Sequence, residues 1–135
     1  MSRHRVIPAL RYRDAEAAVE WLCRAFGFER HLVVPGGDGG VVHAQLTTDG
    51  GMVMIGGEAG NAYDDVVKSP AVSGAPCSQG AYVQVDDCRA HHARSVEAGA
   101  EVVVPLEEQP YGGWAYTCRD PEGHVWSFGE YDPWA

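Results

Sequence analysis

The chain has 135 residues, of which 45% are hydrophobic and 21% charged, and its formal net charge is −9. That length suits one domain able to bury about two thirds of the surface its unfolded form exposes. Ten basic against nineteen acidic residues exclude nucleic acid as a natural partner, and no apolar run approaches the roughly 20 residues of a membrane span. The opening Met1-Ser2-Arg3-His4-Arg5 leads into an apolar run without the features of a secretory signal, so a cytoplasmic location is expected. Cys23, Cys77, Cys88 and Cys118 form no C-x-x-C pair and are expected as reduced thiols.

The first strand is predicted over residues 6–12. Asp14 then caps a helix whose apolar face uses Ala18, Leu22, Ala25 and Phe26 at three- and four-residue spacing, and Gly27 ends it. Strands follow over residues 29–34, 41–47 and 52–55, separated by the glycine-rich turns 35–40 and 49–51. Residues 59–78, rich in Gly, Ala, Ser and Pro, read as a linker. The order then recurs: a strand over 81–85, a helix capped by Asp86 or Asp87 and ended by Gly99, and strands near 101–104, 114–119 and 124–129. His91 and His92 on that helix read as solvent-facing, because neighbours on a helix point to different sides.

Sliding the chain by 72 positions aligns ten identities without a gap: Ala9/Ala81, Asp14/Asp86, Ala18/Ala90, Gly27/Gly99, Glu29/Glu101, Gly40/Gly112, Gly51/Gly123, Val53/Val125, Gly57/Gly129 and Glu58/Glu130. The expected architecture is therefore α+β: two tandem βαβββ modules, about 5–58 and 79–130, forming curved mixed sheets around a cup with helices outside.

This duplication, with Arg11-Tyr12-Arg13-Asp14 before Ala25-Phe26-Gly27-Phe28 and with Asp120-Pro121-Glu122-Gly123-His124-Val125-Trp126, resembles the vicinal oxygen chelate family. That family includes glyoxalase I, extradiol dioxygenases and bleomycin-resistance proteins. The resemblance implies a homodimer and, in the family's enzymes, one divalent metal held from the first and last strands of each module. Counting from the capping aspartates and from the final turns, those positions fall at Ile7, Gly80, Ile55 and Ser127. None is His or Glu, so no metal or other cofactor is expected and catalysis is not favoured. No Ser-His-Asp arrangement, basic cysteine environment or phosphate loop offers another chemistry.

The cup is expected to be lined by Val53, Ile55, His43, Gln45 and Ser127, with Trp126 and Phe128 turned under the helix. Tyr111, Trp114 and Tyr116 stand near its mouth. Trp114 and Tyr116 serve either the cup or the core or a subunit interface. His124 reads as a turn anchor, Glu130 as a solvated strand end, and Trp21 and Trp134 as packing residues. The function expected from these positions and the resemblance is sequestration of an aromatic or hydrophobic natural product, in the manner of the bleomycin-resistance proteins. The alternative is a metal-dependent lyase, isomerase or dioxygenase with an atypical shell around His43.

Overall fold

The computed structural model describes residues 5–58 and 60–135; the opening residues 1–4 and Ala59 of the expected linker lie outside the described residues. The chain forms two compact units that divide between Ala75 and Pro76. The first contains β1 (Ala9–Arg11), α1 (Ala15–Phe26), β2 (Glu29–Pro35), β3 (Val41–Thr48), β4 (Gly51–Gly56) and two one-turn helices, α2 (Tyr63–Val66) and α3 (Pro70–Ser73). The second contains β5 (Ala81–Gln84), α4 (Cys88–Glu97), β6 (Glu101–Glu108), β7 (Trp114–Arg119) and β8 (Val125–Gly129). Each unit holds one four-stranded mixed sheet, ordered β1-β4-β3-β2 or β5-β8-β7-β6, with the first pair parallel and the others antiparallel. The duplicated α+β architecture is thus as the sequence implies.

Local chemistry explains α1. The Asp14 carboxylate accepts from the Ala17 N–H, and Gly27 closes the helix at φ 82°, a left-handed turn that glycine adopts without steric cost. Ala15, Ala18, Val19, Trp21, Leu22, Ala25 and Phe26 are buried, as are Ala44, Leu46, Val53 and Ile55 on the sheet that α1 packs against. This is hydrophobic burial of the ordinary kind.

Helix α4 covers its sheet by different means. Asp87, and not Asp86, caps it, and only Cys88 and Ser95 are buried along its length. Its contact with the sheet is largely polar and aromatic: His91 and Ser95 both lie 2.7 Å from the Tyr116 hydroxyl, and Ser95 donates to the His92 carbonyl. One direction of donation satisfies all three contacts, from His91 N–H to Tyr116, from Tyr116 to Ser95, and from Ser95 to His92. The His91 ring also lies 4.1 Å from that of Phe128, and His92 meets Tyr116 edge-on. Both histidines therefore pack onto the sheet, contrary to the solvent-facing expectation.

The connecting segment is also more ordered in design than a linker. Ser69 caps α3 and Gly74 closes it, while Arg11 donates to the Gly57 carbonyl, pairs with Asp64 at 3.2 Å and lies over the Tyr63 ring. Residues 60–73 are thereby fastened to the end of the first sheet.

The two units do not superpose at a constant offset. Leu46 pairs with Val53 and Cys118 with Trp126, so four residues separate the ladder pair Thr47 and Met52 but five separate Arg119 and Val125. The extra residue sits in the turn that Asp120 organises: one carboxylate oxygen accepts from the Glu122 and His124 N–H groups, the other from the buried Trp126 indole. Offset 72 therefore holds for β3 and β7, whereas 73 holds for β4 and β8. The four final identities of the ungapped alignment are out of phase.

Asp120→Ala should lower stability by about 3 kcal/mol in urea denaturation, since it strips charge-assisted bonds from two turn amides and a buried indole. A loss below about 1 kcal/mol would show that the turn does not depend on this carboxylate.

Candidate functional site

The helices bury one face of each sheet, so chemistry has to be sought on the other. In the first unit the ladder pairs place Ala9, Arg11, Leu32, Val34, His43, Gln45, Met52, Met54 and Gly56 on that open face. His43 and Gln45 fall there as expected, and Gln45 donates its amide to His43 Nε2 at 3.2 Å. Val53 and Ile55 do not. They are only 5% and 0% exposed and pair with Leu46 and Ala44 beneath α1, which corrects their placement in the cup. The cause is the one-residue turn difference: sliding a strand's phase by one residue exchanges its faces.

In the second unit Tyr82, Gln84, Ala115, Thr117, Val125, Ser127 and Gly129 share the open face. Ser127 lies 2.8 Å from Thr117 there. Tyr116 is buried instead, stacked on Phe128 under α4, and desolvation raises its phenol far above the usual range. It is a core residue. Trp114, two positions earlier on the same strand and so on the same side, sits under the Arg89 guanidinium of α4, and its backbone N–H donates to Glu130. Glu130 also accepts from the backbone N–H of Cys88 at the start of α4, so it is a clamp and not a solvated strand end. Trp21 is buried in α1 as expected, whereas Trp134, expected as a packing residue, is 80% exposed.

Tyr111 belongs to a cluster that the sequence pattern only partly announced. Its ring meets Tyr131 edge-on at 5.3 Å, and Tyr82 donates to the Tyr131 carbonyl at 2.7 Å. Tyr82 lies across Gly129, where any Cβ would come within 2.8 Å of its hydroxyl. Burial, then the neighbouring Tyr111, raises the Tyr82 phenol, so the group is a neutral donor near pH 7. Tyr82 was readable from the alternation of Ala81, Tyr82, Val83 and Gln84; Tyr131, beyond the last strand, carried no periodic signal.

The metal positions take a new member once the phase is corrected. Ser127 pairs with Tyr82 and Thr117, and the residue with the equivalent partners in the first unit, Ala9 and Gln45, is Met54. Ile7, Met54, Gly80 and Ser127 lack the imidazole and carboxylate donors that a divalent site of this family needs, so the residues do not fit the metal. Among the described residues no three His, Cys, Asp or Glu side chains gather for one elsewhere. Nor, among them, is any helix long and apolar enough to cross a membrane.

The profile of the Glyoxalase/Bleomycin resistance protein/Dioxygenase superfamily matches residues 4–128, and the chain belongs to that family. It is 33% identical over 124 residues to an uncharacterized protein of Mycobacterium bovis, covering 91% of this chain and 80% of that one. It is also similar to TioX from Micromonospora sp. ML1, at 36% identity with TM-score 0.74, over 98% of this chain and 100% of that one. The fosfomycin resistance protein FosX of Listeria monocytogenes shares the fold alone, at 13% identity and TM-score 0.69 over 98% and 97% of the two chains.

The corrected faces predict an asymmetry between neighbours. Ile55→Ala should cost about 2–5 kcal/mol of stability by chemical denaturation, whereas Met54→Ala should cost about 1 kcal/mol or less. Equal costs would contradict the assignment of faces.

Proposed function

We propose that this protein binds an aromatic or hydrophobic small molecule without a metal and holds it unchanged, a sequestering role exercised in the cytoplasm. The observation that supports this most is the set Ile7, Met54, Gly80 and Ser127 at the positions where the family's enzymes carry metal ligands. The open face of the second unit offers the matching surface: Tyr82, Tyr111 and Tyr131 supply aromatic area, and Thr117, Ser127 and Gln84 supply a few neutral hydrogen-bonding groups. Apolar area with sparse, fixed polar groups is the usual composition of a small-molecule site. Offset stacking adds about 0.5–1.5 kcal/mol per ring pair beyond burial, and a net charge of −9 favours a neutral or cationic ligand over an anion.

A planar polycyclic aromatic amine should therefore bind with micromolar affinity in calorimetry, and Tyr82→Ala should weaken it by about 1–3 kcal/mol. The dialysed protein offered zinc, nickel, manganese or ferrous iron should take up well under one equivalent. Stoichiometric micromolar metal binding abolished by His43→Ala would replace this reading with the metal-dependent enzyme.

We also propose a homodimer. Edge strands β2 and β6 expose Leu32, Val33, Val34, Val103 and Val104, apolar surface of the kind that a second copy covers. Sedimentation at micromolar concentration should give twice the 14.6 kDa chain mass; a single-chain mass would refute the pairing.

A further inference from the structure

The four cysteines are free thiols in unequal surroundings. Burial pushes Cys88 up to about 11 and Cys118 up to about 12, and it raises Cys23 against the lowering influence of Arg30. Thiolate is the reactive form, so these three are held back. Cys77 is placed differently. Its half-buried Sγ lies 3.9 Å from Nδ1 of His124 and donates to the Gly123 carbonyl at 3.5 Å.

The fold brings these residues together across 47 positions. Parallel pairing of β5 with β8 sets Ala81 beside Trp126, so the segment leading into β5 runs along the turn leading into β8. Gly80 permits the close approach, since a Cβ there would stand 3.0 Å from the Val125 carbonyl oxygen. The His124 backbone is held separately, through its N–H on Asp120. Strand pairing and the Gly80 approach thus bring the two segments side by side, and the thiol is anchored beside the imidazole by its own bond to the Gly123 carbonyl.

We propose that Cys77 and His124 form a covalent capture site for soft electrophiles, specifically α,β-unsaturated carbonyl compounds. As Sγ bonds to the β-carbon, the thiol proton leaves the Gly123 carbonyl for Nδ1 and the alkene π pair moves onto the carbonyl as an enolate. The α-carbon then recovers a proton from the imidazolium, which leaves a saturated thioether and a neutral imidazole. Nothing departs and no oxidant or reductant is consumed. The returned proton distinguishes this electrophile class from alkyl halides, which have no use for it. The site is independent of the aromatic surface proposed above.

The full chain is incubated with acrylamide at pH 7, and modification of each cysteine is followed by peptide mass spectrometry. Cys77 should react at least about tenfold faster than Cys23, and His124→Gln should remove most of that advantage while leaving Cys23 unchanged. In urea the four thiols should react at comparable rates, which ties the advantage to the fold even if a variant proves unstable. Equal native rates for Cys77 and Cys23, an unchanged Cys77 rate in folded His124→Gln, or an advantage that persists in urea would each overturn the proposal.

Discussion

Each sheet of this protein has two faces and one helix to cover them, and that inequality governs what every strand residue is available to do. A side chain under the helix is committed to packing; its neighbour along the strand is not. The commitment is nearly complete on the dry sides, where Ala44, Leu46, Ile55, Trp126 and Phe128 have no exposed area. Groups able to meet a ligand are consequently confined to the other set of alternating positions. The assignment of a strand's phase is therefore also the assignment of its function.

The two units satisfy the same constraint with different chemistry. Helix α1 brings a broad apolar face, so its contact is non-directional and tolerant of small shifts. Helix α4 brings histidines and a serine, so its contact rests on a proton chain through Tyr116 and on aromatic rings at set angles. A buried hydroxyl left without a partner would cost about 1–3 kcal/mol, which makes the second contact directional and exacting. The second unit accordingly spends Tyr116 and Trp114 on structure, and its exposed aromatic surface comes from Tyr82, Tyr111, Tyr131 and Trp134, outside that contact.

Much of this is legible in the sequence alone. Asp14 and Gly27 announced both ends of α1, and the alternation of Trp126 and Phe128 with Val125 and Ser127 told the faces of β8 apart because bulky aromatics alternate with small residues. In β4 the run Met52-Val53-Met54-Ile55 is apolar throughout, so its phase had to be borrowed from the other module. The borrowed phase was wrong by one residue because the glycines and valines flanking the final turns match without a gap. The pairing of Arg11 with Asp64, and the double role of Glu130, join residues far apart in sequence through side chains that pattern analysis reads as solvated. Polar tertiary contacts of this kind have no period to detect.

The Asp120–Trp126 bond has a spectroscopic corollary. Trp126 is sealed from solvent with its indole N–H on a carboxylate, Trp21 is buried in the other unit, Trp114 is half-buried under Arg89, and Trp134 is mostly in water. Intrinsic emission of the folded chain is therefore a composite of a short-wavelength, shielded population and a long-wavelength, accessible one. Iodide should extinguish the second and spare the first, so the two populations separate in a Stern–Volmer plot. With Trp21 replaced by Phe, a red shift of the shielded population alone would report opening of the final turn while the rest of the chain is still folded, an internal gauge of local unfolding that requires no added label.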